Sequence, residues 1–202
     1  MPEITSICVY CGSQPGNHPA FQEAARILGK TMAKRDIRLV YGGGGMGIMG
    51  EISRSVIEHG GKVTGVIPKF LISKERGTMG CDDDDDALGE VIVTRDMHER
   101  KTKMFELSQA FVALPGGIGT LEELFEAWTW RQIGYHDKPI GVLDVGGYFE
   151  PLLRFVDRCV EQGFLEAEQR SVPIVDDDPA RLLARLRQAA RRAVEPDDYS
   201  RI

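Results

Sequence analysis

Short apolar runs alternate with longer amphipathic stretches along nearly the whole chain. The short runs are almost continuous in Val, Ile and Leu, which is typical of parallel strands covered on both faces. The longer stretches have the period of amphipathic helices. This pattern predicts strands at residues 6–10, 38–41, 62–67, 90–94, 110–114, 139–143 and 172–175. It predicts helices at residues 20–35, 47–59, 97–107, 120–133, 148–162 and 179–193.

The regular alternation of strands and helices predicts right-handed crossovers and a doubly wound, Rossmann-like parallel α/β sheet. No linker or repeat divides the chain, so we expect residues 1–195 to form a single domain and residues 196–202 a loose C-terminal tail. In such sheets ligands bind beyond the carboxyl ends of the strands. Glycine-rich turns follow the first, second and fifth predicted strands, and we expect the site where these turns meet.

Composition and charge narrow the classes of partner. Of the 202 residues, 42% are hydrophobic and 28% are charged, which is ordinary for a soluble globular protein. The formal net charge of −6 disfavours nucleic acid as a partner, since that role usually needs a basic face. No secretory signal and no apolar run of membrane-spanning length are present, so we expect no membrane partner.

Cys8 and Cys11 have the CxxC spacing of redox pairs, but Cys8 falls inside a predicted strand, whereas redox pairs normally open a helix. There is no second pair to complete a zinc site. We therefore expect packing thiols in a reducing cytoplasm.

The strongest functional signal is PGGIGTLEE at residues 115–123. It joins a predicted buried strand to a predicted helix, so its backbone N–H groups lie unpaired at the positive end of the helix dipole. Such a turn binds anions, above all phosphate. Glu122 and Glu123 are predicted in the first helical turn beside it. A phosphate site next to an acid indicates chemistry on a phosphorylated small molecule.

Two interpretations of Thr120 and Glu123 remain open at this stage. A threonine followed three residues later by a glutamate is the signature of a capping box, in which Glu123 bonds the backbone N–H of Thr120. The other interpretation makes Glu123 a catalytic acid. Because Glu122 points elsewhere, one carboxylate of the pair is free to cap or bind while the other acts.

Residues 42–50, GGGGMGIMG, contain a formal GxGxxG, which alone is weak evidence for dinucleotide binding. The NAD fingerprint belongs after the first strand, and here it follows the second. The following strand also ends in Pro68 and Lys69 rather than in an acid for the ribose. The alternatives are a tight structural turn or a backbone wall against a ligand, and the four consecutive glycines favour the wall.

Charged residues open the helix predicted from residue 97. Cations at a helix N-terminus oppose its dipole, so Arg100 and Lys101 are better tolerated if an anion lies against them; the alternative is a solvated helix start. His98 is predicted to be a surface or supporting residue. The five aspartates at residues 82–86 predict a flexible acidic loop rather than a metal site, because adjacent carboxylates repel and the EF-hand spacing is absent.

With CGS at 11–13, YGGG at 41–44, GVIP at 65–68, MHERK at 97–101 and HDKPIG at 136–141 around the 115–123 motif, the chain resembles the Lonely Guy family from about residue 6 to residue 175. These are cytokinin riboside 5′-monophosphate phosphoribohydrolases, long mislabelled as lysine decarboxylases. The resemblance implies hydrolysis of the N-glycosidic bond of a nucleoside 5′-monophosphate by a homodimer, with sites near the subunit interface. No cofactor or metal is expected, and no lysine lies in a convincing context for pyridoxal phosphate.

Position by position, the resemblance implies Arg100 and Glu123 as the catalytic pair. It implies that the substrate is bound by one set of residues, namely Gly116, Gly117, Ile118, Gly119, Thr120, Leu121, Glu122, Lys101 and Thr129. The segment 77–88 departs from the family pattern, and Asp86 falls where many members carry a substrate-binding glutamate. A shorter acid at this position predicts a shifted contact to the base or the ribose.

The implied chemistry suits these residue types. Glu123 would stabilise the positive charge that develops on the ribose and orient or deprotonate the attacking water. Arg100 would hold the phosphate or meet the departing base, and both roles stay open. The expected substrates are adenosine monophosphates with N6 substituents. The rival hypotheses are a non-catalytic nucleotide carrier or sensor, and an NAD-dependent oxidoreductase, which the glycine placement disfavours.

Overall fold

The computed structural model of the protein describes residues 4–75 and 89–190. The strands β1 to β7 span Ser6–Tyr10, Arg38–Tyr41, Val63–Pro68, Glu90–Thr94, Ala110–Ala113, Ile140–Leu143 and Pro173–Asp176. The helices α1 to α8 span Pro19–Lys34, Gly47–Glu58, Ile72–Glu75, Met97–Glu106, Ile118–Gln132, Glu150–Glu161, Ala167–Arg170 and Pro179–Ala190. The predicted elements are present, and their described bounds differ from the predicted ones by at most two residues. The predicted end of the last helix, at residue 193, lies outside the described residues. The aspartate run with Asp86, and the tail at 196–202, lie outside the described residues.

All neighbouring strands pair in parallel, in the order β4-β3-β2-β1-β5-β6-β7. This confirms the prediction of a doubly wound α/β sheet. The chain builds outward from β1 to β4, returns to the centre at β5 and then builds outward on the other side. The loops that follow β1 and β5 therefore diverge, and they leave a crevice at the switch point between these two strands.

The core consists of two clusters, one on each face of the sheet. Successive strand side chains point to opposite faces, so Ile7 and Val9 belong to one cluster while Cys8 and Tyr10 belong to the other. Helices α1, α2 and α8 cover the first face, and α4, α5 and α6 cover the second. Both faces are thus occupied by packing, and the carboxyl edge of the sheet remains for binding.

The sequence pattern missed the shortest elements. These are the helices α3 and α7, with four residues each, and the 3₁₀ turns at Lys69–Leu71 and Val145–Gly147. One helical turn is too short to show a hydrophobic period. Within residues 4–75 and 89–190, no helix combines the length and apolarity needed to cross a bilayer.

Candidate active site

Three loops meet at the carboxyl edge of the sheet, and Gly12 links them. Its N–H donates to the Pro115 carbonyl at 3.1 Å, which ties the loop after β1 to the loop after β5. Its carbonyl accepts from the Met49 N–H at 3.2 Å, which adds the start of α2. These backbone hydrogen bonds close the crevice at the switch point on its inner side and hold the glycine-rich turn before α5 in place.

Helix α5 begins at Ile118, with Gly117 as its N-cap residue and no side-chain cap. The capping-box interpretation was wrong, because Thr120 lies inside the helix and is buried. Glu122 and Glu123 consequently lie in the second turn of the helix, not in the first turn as predicted. The helix begins two residues earlier than predicted because Gly117, and not Thr120 or the residue before it, is its N-cap residue. The first-turn N–H groups are thus left without a capping side chain, as an anion site requires.

The glycines of this turn fall into two kinds. A Cβ at Gly116 would overlap the Thr120 hydroxyl and lie 2.7 Å from the Gly12 nitrogen, so Gly116 is required by packing. A Cβ at Gly117 or Gly119 would meet no described atom within 4 Å. Neither of these two has a positive φ that would call for glycine. The space beside them is therefore open, and a ligand is able to approach the backbone closely.

Arg100 of α4 and Glu123 of α5 lie side by side beneath this edge. The distance from Arg100 Nη2 to Glu123 Oε1 is 3.9 Å, and the side chains are only 7% and 11% exposed. Arg100 Nη2 donates to the Gly42 carbonyl at 3.3 Å, while its buried Nε has no hydrogen-bond partner within the described residues. At 3.9 Å the pair attracts electrostatically without a direct hydrogen bond. The Arg100 guanidinium thus keeps one donor, Nε, for a further acceptor.

Gly42 is needed for the position of Arg100. A Cβ at Gly42 would overlap the Arg100 guanidinium. Similarly, a Cβ at Gly47 would overlap the Ser13 backbone, and one at Gly50 would overlap the Gly45 carbonyl. Protein atoms fill the space next to these three glycines, so the packed-turn interpretation of residues 42–50 describes them better than a wall against a ligand.

Lys101 finds its anions within the protein. Its ammonium Nζ lies 2.6 Å from Glu122 Oε1 and 2.9 Å from Glu126 Oε1. Burial opposes the charged form of Lys101, but the two carboxylates outweigh burial and raise the pKa of its ammonium. The expectation that Lys101 meets an anion is met here by side chains of α5. The ion pairs join α4 to α5 next to the Arg100–Glu123 pair.

The other residues predicted for the site are more dispersed. Leu121 is half-buried against the core, whereas Ile118 at the start of α5 is 83% exposed. We call residues 116–120 the anion turn. Thr129 is exposed in the last part of α5, so within this chain the structure does not bring it to the anion turn. His98 is exposed, as predicted, while the neighbouring Asp96 caps α4 by accepting from the Glu99 N–H at 2.9 Å.

Cys8 and Cys11 are free and buried, which agrees with the prediction of packing thiols. Burial raises the pKa of both thiols well above the ordinary value. In the part of the chain that the structure describes, no cluster of three or more His, Cys, Asp or Glu is arranged to hold a metal ion.

Two contributors to the site were missed from the sequence. The Gly42 carbonyl accepts a hydrogen bond from Arg100, and the Tyr148 hydroxyl donates to the Gly116 carbonyl at 2.6 Å. Both contacts join residues far apart in the chain, and each uses a backbone carbonyl, which every residue possesses. No motif therefore points to them.

The chain is similar in sequence to known proteins over most of its length. Residues 49–186 match the family model described as "Possible lysine decarboxylase". The chain is 46% identical to the rice (Oryza sativa subsp. japonica) protein named "Probable cytokinin riboside 5′-monophosphate phosphoribohydrolase LOG4", over 93% of this chain and 78% of the relative. It is 45% identical to cytokinin riboside 5′-monophosphate phosphoribohydrolase LOG3 of Arabidopsis thaliana, over 91% of this chain and 82% of the relative.

Among solved structures, the molybdenum cofactor carrier protein of Chlamydomonas reinhardtii superposes with a TM-score of 0.65. It is 23% identical, and the match covers 92% of this chain and 98% of the carrier. At this level of identity the likeness shows a shared fold and nothing about the ligand.

Proposed function

Since the chain belongs to the Lonely Guy family of cytokinin riboside 5′-monophosphate phosphoribohydrolases, we propose that it hydrolyses the N-glycosidic bond of adenosine 5′-monophosphates that carry an N6 substituent. The products are the free cytokinin-type base and ribose 5-phosphate. The observation that carries the proposal is the placement of Glu123, which is paired with Arg100 of α4, one helical turn beyond the anion turn that begins α5.

The anion turn is proposed to bind the 5′-phosphate. The N–H groups from Gly117 to Thr120 open α5 without a side-chain cap, and the helix dipole adds a positive potential there. The open space beside Gly117 and Gly119 gives phosphate oxygens room to reach these donors. Binding of the phosphate then positions the ribose, so that part of the binding energy is used to orient the reacting bond.

Glu123 is proposed as the residue that acts at the anomeric carbon. It lies about 7.5 Å along the helix axis from Ile118, at 1.5 Å per residue. A ribose bound through its 5′-phosphate at the helix start therefore extends toward this carboxylate. The carboxylate stabilises the oxocarbenium-like charge on the sugar and orients or deprotonates the attacking water.

Arg100 is proposed to act at the reacting centre rather than to hold the phosphate. Its guanidinium lies against Gly42 and Glu123, whereas the phosphate donors lie at the first turn of α5. There it is placed to stabilise negative charge on the departing base. Its hydrogen bond to Gly42 fixes the guanidinium before substrate binds, which is the preorganisation that transition-state stabilisation requires.

The test is release of the free base from isopentenyladenosine 5′-monophosphate, followed by chromatography, with AMP and isopentenyladenosine as parallel substrates. We expect the phosphorylated N6-substituted nucleotide to be cleaved best and the free nucleoside poorly, because the nucleoside lacks the group that the anion turn binds. No release from either monophosphate at any substrate concentration would refute the proposal.

A nucleotide carrier or sensor without catalysis remains the alternative function. Calorimetry distinguishes it from the enzyme, since a carrier would bind isopentenyladenosine 5′-monophosphate tightly and return it intact. An NAD-dependent oxidoreductase is disfavoured, because packing accounts for Gly42, Gly47 and Gly50.

We also propose that the protein is a cytoplasmic homodimer that binds its nucleotide near the subunit interface. The family resemblance supports the dimer, and the free thiols of Cys8, Cys11 and Cys159 suit a reducing compartment. A role for the exposed Thr129 at a site is easier to understand if a second subunit brings it there. Light scattering coupled to size-exclusion chromatography measures the subunit number, and a monomer at assay concentration would contradict this part of the proposal.

A further inference from the structure

The hydroxyl of Tyr148 makes a short hydrogen bond to the anion turn. Tyr148 follows the 3₁₀ turn Val145–Gly147 after β6, and its Oη donates to the Gly116 carbonyl at 2.6 Å. Gly116 immediately precedes the N-cap residue of α5. A residue from the loop after β6 thus contacts the one segment of the backbone that is proposed to bind the substrate phosphate.

The ring of Tyr148 is held from two sides. Phe21 of α1 meets it edge-on with the ring centroids 5.5 Å apart, and Phe149 meets it edge-on at 5.1 Å. Phe149 is itself buried, and its N–H donates to Asp144 Oδ1 at 2.7 Å. These two ring contacts therefore restrict where the Tyr148 hydroxyl lies.

Fixing the Gly116 carbonyl also fixes the next N–H. In a trans peptide the C=O of one residue and the N–H of the next point in opposite directions, and the described residues contain no cis peptide. The Gly117 N–H must consequently point away from Tyr148. The Pro115 carbonyl is held in the same way by the Gly12 N–H at 3.1 Å, which orients the Gly116 N–H.

We propose that Tyr148 is a positioning residue for the phosphate site: by holding the Gly116 carbonyl, it aims the Gly117 N–H at the 5′-phosphate before substrate arrives. The inference rests on the proposed function of the anion turn. Without the hydroxyl, the Gly116–Gly117 peptide is free to rotate, and the donor must be ordered when the phosphate binds. The entropic cost of that ordering lowers the affinity for the phosphate group and leaves the contacts with the rest of the substrate unchanged.

The decisive variant is Tyr148→Phe, which keeps the ring contacts and removes only the hydroxyl. Loss of one hydrogen bond predicts a rise of about threefold to tenfold in the Kd for ribose 5-phosphate measured by calorimetry. The KM for isopentenyladenosine 5′-monophosphate should rise by the same factor with little change in kcat. The kcat/KM for isopentenyladenosine, which has no phosphate, should stay unchanged.

A matched control is Tyr135→Phe, which removes an exposed tyrosine hydroxyl beyond the other end of α5 and leaves the ring on Phe105 and Trp130. It should alter neither ribose 5-phosphate binding nor the preference for the monophosphate over the nucleoside. A role for Tyr148 in stability alone would lower the melting temperature of Tyr148→Phe without changing that preference.

The outcomes separate this inference from the proposed function. If wild-type protein cleaves the monophosphate and Tyr148→Phe binds ribose 5-phosphate equally well, the inference is overturned and the function stands. If the wild type binds ribose 5-phosphate but cleaves neither monophosphate, the proposed function fails, and the ribose 5-phosphate titration still tests Tyr148. If the wild type does not bind ribose 5-phosphate, the inference is overturned. Should Tyr148→Phe fold poorly, Phe21→Leu decides: it loosens the ring, and an unchanged Kd would overturn the inference.

Discussion

Two glycine-rich segments of this chain, one after β2 and one at the start of α5, look alike in sequence and differ in the space around them. After β2, protein atoms occupy the space beside three glycines. These atoms belong to the Arg100 guanidinium at Gly42, the Ser13 backbone at Gly47 and the Gly45 carbonyl at Gly50. At the start of α5, Gly117 and Gly119 face open space. A glycine packed against protein allows close approach within the fold, whereas a glycine beside empty space leaves room for a ligand. Glycine content alone does not separate the two.

Arg100 and Glu123, the proposed catalytic pair, lie between the two turns, so the largest expected effect is at this pair. Glu123→Gln and Arg100→Ala should each lower kcat for isopentenyladenosine 5′-monophosphate by about 10²–10⁴-fold, the usual contribution of a positioned acid, base or charge. Base release measures the loss. Glu161→Gln, a change at an exposed carboxylate at the end of α6, is the control and should keep full activity. Full turnover by Glu123→Gln would remove Glu123 from the mechanism.

The packed turn should respond to Gly42→Ala through Arg100. The added methyl group overlaps the guanidinium, which has to move, and displacement of a catalytic group by about 1 Å costs on the order of 10²-fold in rate. We expect the loss in kcat, with ribose 5-phosphate binding nearly unchanged because the anion turn is separate. Equal losses in kcat and in ribose 5-phosphate affinity would show that the two turns do not act independently.

The open turn should respond to Gly119→Ala with opposite effects on stability and binding. Alanine in a helix is more stable than glycine by about 1 kcal/mol, so the melting temperature should rise by about 2–4 °C. The new methyl group occupies space meant for the ligand, so the KM for the monophosphate should rise about tenfold. Gly116→Ala is the matched control, because its methyl group overlaps Thr120 and should lower both stability and affinity. A Gly119→Ala protein with unchanged KM would mean that the open space is not used.

The smallest effect on activity is expected at Lys138, before β6. Burial lowers the pKa of its ammonium to about 8, while Nζ donates to the Phe105 carbonyl at 2.7 Å and lies 3.6 Å from the Phe105 ring centroid. The unfolded chain, with a lysine pKa near 10.4, binds more protons between these values. The stability of wild type relative to Lys138→Met should therefore rise as pH increases from about 8 to about 10.5.

Melting temperatures of the two proteins across this pH range measure that difference, and base release at pH 7 should be the same for both. A difference that is constant with pH, or that shrinks toward high pH, would contradict the assignment. Lys138→Met also serves as a reference for the glycine variants, because it should change stability and leave base release unchanged.

Much of the fold was predictable because each element carries its own local signal. Strands β1, β2 and β4 span the residues that the apolar runs predict. In β1 and β2, burial between two helix layers leaves no polar position in the strand interior. The start of α5 was mispredicted at Thr120, because the spacing to Glu123 imitates a capping box. Gly117 takes the N-cap position instead, which the local pattern does not reveal.

The candidate site was predictable in part, through the anion turn and the motif that contains Arg100 and Glu123. The partners of Lys101 were not predictable, since Glu122 and Glu126 reach it only after α4 and α5 pack together. Asp86 and its acidic run lie outside the described residues, so the contact expected there stays a prediction.

By itself, the sequence determined the order of strands and helices, the sheet edge that carries the site, and the presence of a phosphate-type turn followed by a carboxylate. These follow from hydrophobic period, glycine placement and local spacing. Only the tertiary structure decided which glycines are packed and which are open, that Gly42 holds Arg100, and that Tyr148 holds Gly116. The two contacts join distant segments through backbone carbonyls, which every residue possesses. Open space beside a glycine depends on which other segments pack there. A sequence shows neither feature.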